Sequence, residues 1–306
     1  MSGRAIFRTA LAATMFVWLP AQGAGASDLA STASGAPSAA PSFALRLPLE
    51  EGVPFNGVVN YDGAGIGSGA MLYPAPNLIA MVAAVATHGL IAGGARENQK
   101  LAMREKANEV LKPYQAMLGT LKQRDLIQAA IERMHSPGAK TLLAAADASK
   151  ADDTLIETSL VYFMTQDQRA LILENTVSIK RAGGAEPYTN VVRVVTPAIA
   201  EQEPARFWSE EQGAKLREQS ALMLAISLDL AIADAAKASD QQLAFKTIRY
   251  VEGGLEKMER GQIIGEQCKR VVLKTLRGNL MSVPRKDARA QAGSADCDVV
   301  QTAAAG

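Results

Sequence analysis

An α+β fold, with antiparallel sheet and two long helical segments packed against it, follows from three features of this chain. Helical periodicity is confined to two regions, about 76–134 and 204–237, while strand-like runs stand together between and after them. A doubly wound fold would instead alternate strand and helix throughout. Finally, 48% of the residues are apolar, enough to fill one large core or two small ones. The segments read as a signal peptide at 1–26, a flexible low-complexity leader at 27–42, a single α+β domain at 43–285 and a polar tail at 286–306. A division of the domain into two subdomains near 197–206 is the alternative.

The first segment carries Arg4 and Arg8, a short apolar run at 10–19 and then Ala24-Gly25-Ala26. A basic start, an apolar stretch too short to span a bilayer and small residues at the cleavage positions form a secretory signal peptide, cut before Ser27. The expectation is an exported chain, periplasmic or secreted. In the leader, Ala, Ser, Gly, Pro and Thr dominate and Asp28 is the sole charge. Such a stretch buries too little apolar area to offset its ordering entropy.

Phe43, Leu45, Leu47 and Leu49 alternate with smaller or polar neighbours, the period-2 mark of a half-buried strand. A second extended piece at 53–61 leads into a glycine-rich turn at 62–69. After Tyr73-Pro-Ala-Pro76 the pattern turns helical, and 78–95 holds no charge. Its Ala, Gly, Thr87 and His88 make it a weak membrane span, so a buried helix is expected, with a cavity lining as the alternative. Gly89 and Gly93 allow another backbone to approach closely. From Arg96 an amphipathic stretch runs to about Met134, with Val110, Leu111, Tyr114, Leu118 and Leu121 on one side. Pro113 lacks an amide donor and kinks or restarts it.

Strands are then expected at about 140–146, 154–164, 169–180 and 188–196. Leu171, Leu173, Val177 and Ile179 share one parity, interrupted by Asn175. The run at 160–164 is apolar at every position, as a central strand covered on both faces would be. Thr165-Gln-Asp-Gln168 suits a hairpin between two of these strands. The second helix follows Pro204, with Ser209 and Gln212 as a capping box, and carries Leu216, Met223, Ile226 and Leu230 at helical spacing. Phe207 and Trp208 staple its entry. A closing β meander covers 245–251 and 261–284, with 266–276 alternatively helical.

The formal net charge is +1, which gives no general electrostatic pull toward nucleic acid. Any binding must be local. Cys268 and Cys297 are the two cysteines, and in an oxidising compartment they allow one bridge, pinning the tail to the domain. Two free thiols are the alternative.

Two histidines are present. His88 sits in the uncharged helical run, where a core imidazole bonded to a carbonyl is the ordinary reading, and His135 sits at a helix end, complementing the dipole. No H-E-x-x-H and no paired C-x-x-C occurs, so local sequence assembles no zinc site, and no cofactor is implied. In the stretch holding Gly63, Gly65, Gly67 and Gly69, a dinucleotide pattern is touched at Gly65, Gly67 and Ala70, but no helix opens at once behind it. Ser68 has Ile66 where a nucleophile elbow needs glycine. Late basic residues, Lys269, Arg270, Lys274, Arg277, Arg285 and Lys286, lie near Glu252, Glu256, Glu259 and Glu266, which favours cross-strand pairing over a phosphate site.

The expected function is that of a non-catalytic envelope binding or interaction protein. Its partner would be an envelope protein or a small ligand, with no nucleic acid and no stable membrane span. Two alternatives stand beside it. One is an envelope hydrolase with a site assembled from distant residues around Ser68 and His88. The other is a small-molecule or lipid carrier with 78–95 lining an apolar cavity.

Overall fold

Strand patterning concentrates the fold on one sheet. The computed structural model describes residues 41–59, 94–150, 153–181, 183, 186–237, 243–267 and 270–285, which belong to one compact unit. In chain order the elements begin with β1 (Ser42–Arg46) and β2 (Phe55–Gly57), then α1 (Gly94–Asn108), a 3-10 helix (Glu109–Tyr114), α2 (Gln115–Leu118) and α3 (Gln123–Ile131). They continue through β3 (Ala139–Leu143), β4 (Thr154–Met164), β5 (Leu171–Lys180) and β6 (Tyr188–Val195) to α4 (Pro204–Ala235). The chain closes with β7 (Phe245–Glu252), β8 (Leu255–Gln267), β9 (Arg270–Thr275) and β10 (Leu280–Pro284).

The ten strands form one sheet in the order β3-β1-β4-β5-β6-β10-β9-β8-β7, with β2 also paired to β4. This corrects the expectation of an antiparallel sheet, because the sheet is mixed. β1 runs parallel to both β3 and β4, β2 parallel to β4, and β10 parallel to β6. The cause is topological: each parallel pair is separated in sequence by a long crossover, the helical stretch in the first cases and α4 with the β7–β9 strands in the last. Alternation of side chains reveals a strand but not its neighbour.

The two long helical segments are also corrected. The first is broken into α1, the 3-10 helix containing Pro113, α2 and α3. Before α3, Lys122 is extended and Gln123 donates its backbone N–H to Glu51 O at 2.7 Å, so the chain pairs with residues 51–53 instead of continuing as helix. The second is interrupted where Glu211, Gln212 and Gly213 take φ of 50°, 55° and 80°. The expected capping box is absent: Ser209 Oγ donates back to Ala205 O at 2.7 Å within the helix, and Gln212 is in the left-handed region. Gly213 stands where a Cβ would meet Met117 Sδ at 1.6 Å, so α2 packs directly onto the interruption.

Alternate residues of β5, β6, β9 and β10 feed two cores. On one face, Ile156, Leu160, Tyr162, Leu171, Leu173, Val177, Val192 and Val194 pack with Leu216, Leu224 and Leu228 of α4 and with Ile127 of α3. Asn175, the residue that breaks the apolar parity, points into this core and is fully buried. Its Oδ1 accepts from Thr158 Oγ1 at 2.8 Å and its Nδ2 donates to Ser227 Oγ at 2.9 Å. The opposite face gathers Ile172, Val195, Ile248, Tyr250, Val271, Leu273, Met281 and Val283.

That second core forms at a corner of β8, where its partner changes from β7 over 255–262 to β9 over 261–267. Gly261 pairs with Thr275 of β9 on one side and Lys246 of β7 on the other. A Cβ there would lie 2.6 Å from Lys274 O, so the two backbones approach as only glycine permits. Beyond the corner the β7–β8 hairpin folds back over the sheet. Tyr250 bridges to Arg285 just after β10, and Gly254 N–H donates to Asp167 Oδ2 at 2.5 Å in the β4–β5 turn.

Candidate functional site

The folded-back hairpin is the candidate site, and the side chains beneath it explain why it stays in place. Asp167 sits at the β4–β5 turn expected at 165–168. Its Oδ1 accepts from Thr165 Oγ1 at 2.6 Å and from Arg169 N–H at 3.1 Å, while its Oδ2 receives Gly254. The neighbouring residues tie the same turn to the helices. Gln166 Nε2 donates to Val58 O and Ala107 O. Gln168, at φ of 57°, accepts from Tyr114 Oη at its side chain and from Trp208 Nε1 at its carbonyl. Trp208, which lies within the first turns of α4, anchors the helix entry to the turn on which the hairpin tip rests.

Under the hairpin lies an ion cluster. Glu174 and Arg193 stand directly opposite in the β5–β6 ladder and pair through Arg193 Nη1. Arg193 Nη2 donates to Glu252 Oε2 at 2.9 Å, and the Glu252 side chain is 5% exposed. Arg193 Nε is buried without a partner among the described residues. Burial opposes the guanidinium charge, but Glu174, Glu252 and Tyr250 outweigh it and raise the Arg193 pKa. Burial pushes Tyr250 up to about 12, with Glu252, Glu259 and Glu174 adding to the rise against the pull of Arg193. The guanidinium is thus held between two carboxylates that join the sheet to the end of β7. Such a group positions a hairpin.

The outer face of the same hairpin is different. By ladder register it carries Phe245 beside Gln262, Thr247 beside Arg260, Arg249 beside Met258 and Val251 beside Glu256. Phe245 and Met258 are 46% and 64% exposed. Arg249 pairs with Glu256 at 3.3 Å across the strands. The inner face spends its apolar residues on the core, and this face leaves two large ones in water.

Ser68, His88, Cys268 and Cys297 lie outside the described residues, as does the run at 78–93. His135 is described, four residues beyond the end of α3. Its backbone N–H and that of Ser136 donate to the buried carboxylate of Asp229 in α4, at 2.8 and 3.0 Å, and its Nδ1 is 3.7 Å from Asp229 Oδ2. Asp229 is thus the carboxylate beside its ring. Of the late basic residues, Arg285 pairs with Glu266 at 2.9 Å and Lys274 lies 3.9 Å from Asp234. Arg270 donates to Ser282 Oγ, Ser282 O and Val195 O. Among the described residues no three His, Cys, Asp or Glu side chains are grouped to hold a metal ion. None of the described helices is long and apolar enough to cross a membrane.

No protein-family model matches the chain, and no curated protein or solved structure matches it either. The site must therefore be read from its own chemistry. Sequence patterning missed the outer hairpin face because a half-buried strand and an unpartnered one alternate alike. The available signal was Phe245 and Met258, apolar residues placed opposite polar ones where a solvated face needs none.

Proposed function

We propose that this is an exported envelope protein that works by binding, and that it binds through the outer face of the β7–β8 hairpin. The observation that carries the reading is the contrast between the hairpin's two faces. Ile248 and Tyr250 are buried on the inner one, while Phe245 and Met258 stand in water on the outer one. Large apolar side chains on a fixed strand surface, rimmed by Arg249, Arg260 and Thr247, are the usual composition of an interaction patch. The hairpin is held by Asp167 and Arg193, so the patch is preorganised and loses little entropy on association.

Export supplies the compartment: Arg4, Arg8, the apolar run and Ala24-Gly25-Ala26 direct the chain across the inner membrane. The test is retention. The processed chain, starting at Ser27, should remain with the envelope fraction after gentle lysis, and a Phe245→Asp/Met258→Asp variant should move to the soluble fraction at least fivefold more. Wild-type protein found wholly in the soluble fraction, or full-length chain in the cytosol with residues 1–26 attached, overturns the proposal.

A further inference from the structure

We infer that the partner met by this hairpin is an anionic lipid surface, touched by the end of the hairpin at the β8 corner. The inference deepens the binding role proposed above and rests on it. Three strands meet at that end. Phe245 pairs with Gln262, Lys246 with Gly261, and Gly261 with Thr275, so the start of β7 and the turn after β9 lie within two strand spacings of the corner. Leu243, Phe245 and Leu276 are exposed here, Leu276 at 60%. Lys246, Arg260 and Arg277 are exposed beside them. Across 245–247, 260–262 and 274–278 no residue is acidic.

The chain as a whole is nearly neutral, at +1, so this grouping is local and owes nothing to bulk charge. Apolar side chains projecting from a strand start and a turn, ringed by cations, match the two layers of an anionic bilayer interface. Leucine and phenylalanine reach the acyl boundary, and lysine and arginine remain among the headgroups. An acidic protein would supply the charge complement but offers no reason for three separate apolar tips. The Gly278 carbonyl accepts from Asn190 Nδ2 at 3.1 Å and Gly278 N–H donates to Thr275 O at 2.9 Å, so the turn that carries Leu276 is braced against the sheet.

The test uses the processed chain and protein-free vesicles, one set of phosphatidylcholine alone and one with phosphatidylglycerol as half of the lipid. Sedimentation should show binding to the anionic vesicles at least tenfold tighter than to the neutral ones, weakening as salt rises. Lys246→Glu/Arg260→Glu should remove that preference, and Phe245→Ser/Leu276→Ser should weaken binding at least fivefold. Leu101→Ser, at an exposed position of α1, is the control and should change nothing. Absence of vesicle binding, equal binding to both lipids, or unaltered binding by the patch variants overturns the inference. If envelope retention persists while vesicle binding fails, the partner is a protein and the wider binding role stands. If both fail, both are wrong.

Discussion

Glu252 closes on Arg193 at 2.9 Å, linking the last residue of β7 to the middle of β6. The two are 59 positions apart in the chain, and their contact fixes the hairpin that would otherwise be a projecting flap. Arg193→Met leaves Glu252 buried without its cation, which should cost about 3 kcal/mol. Glu252→Gln, which keeps an acceptor oxygen, should cost about half of that. Urea unfolding measures both losses, and limited proteolysis should show earlier cleavage within 243–260 in the arginine variant. Equal stability of wild type and Arg193→Met would remove the cluster from any holding role.

The core asparagine makes a separate prediction. Ser227→Ala deprives Asn175 Nδ2 of its acceptor inside a closed core, so it should destabilise by about 1–3 kcal/mol. Replacing the whole set, Thr158→Val with Asn175→Leu and Ser227→Ala, should cost less than the single change, because no buried polar atom is then left unpaired. A double-mutant cycle by denaturant unfolding reads the coupling, and additive single losses would contradict it.

Alkaline pH should unfold the protein through its tyrosines. Burial pushes Tyr114 and Tyr250 up to about 12 and Tyr162 well above the ordinary 10.0. The native state therefore keeps protons that the unfolded chain releases. Their contribution is complete below pH about 10 and is lost as pH rises through about 12. Stability measured in urea should fall across that window, and Tyr250→Phe should make the fall shallower. A flat profile between those values would show that the phenols are not shielded.

The disulfide that the sequence allows between Cys268 and Cys297 makes a further prediction. A bridge from Cys268 to Cys297 would pin the tail to the domain. Thiol labelling of the processed chain should then require reductant, and Cys297→Ser should cost about 2–4 kcal/mol. Labelling of both thiols without reductant would exclude the bridge.

Much of the sheet was legible, for a physical reason. Leu171, Leu173, Val177 and Ile179 must share a face in any extended chain, and they share the helix-covered one. Asn175 stood out in sequence as a break in that parity and proves to be the polar link to Ser227. Strand order was not legible, because parallel pairing of β1 with β3 and of β6 with β10 depends on crossovers, not on residue pattern. The corner at Gly261 was hidden as well. One glycine among many says nothing until Lys274 O is seen where its side chain would be. The candidate site depends on that corner, so it could not be read from the sequence, where Ser68 and His88 drew attention by residue type alone.

We place the partner contact on the outer face of the β7–β8 hairpin. Hydrogen–deuterium exchange of the processed chain with and without envelope membranes reads that contact. Added protection should appear over 243–262 and be absent over 139–143 in β3, which also lies at a sheet edge. Protection missing from 243–262, or concentrated at β3, would rule that contact out.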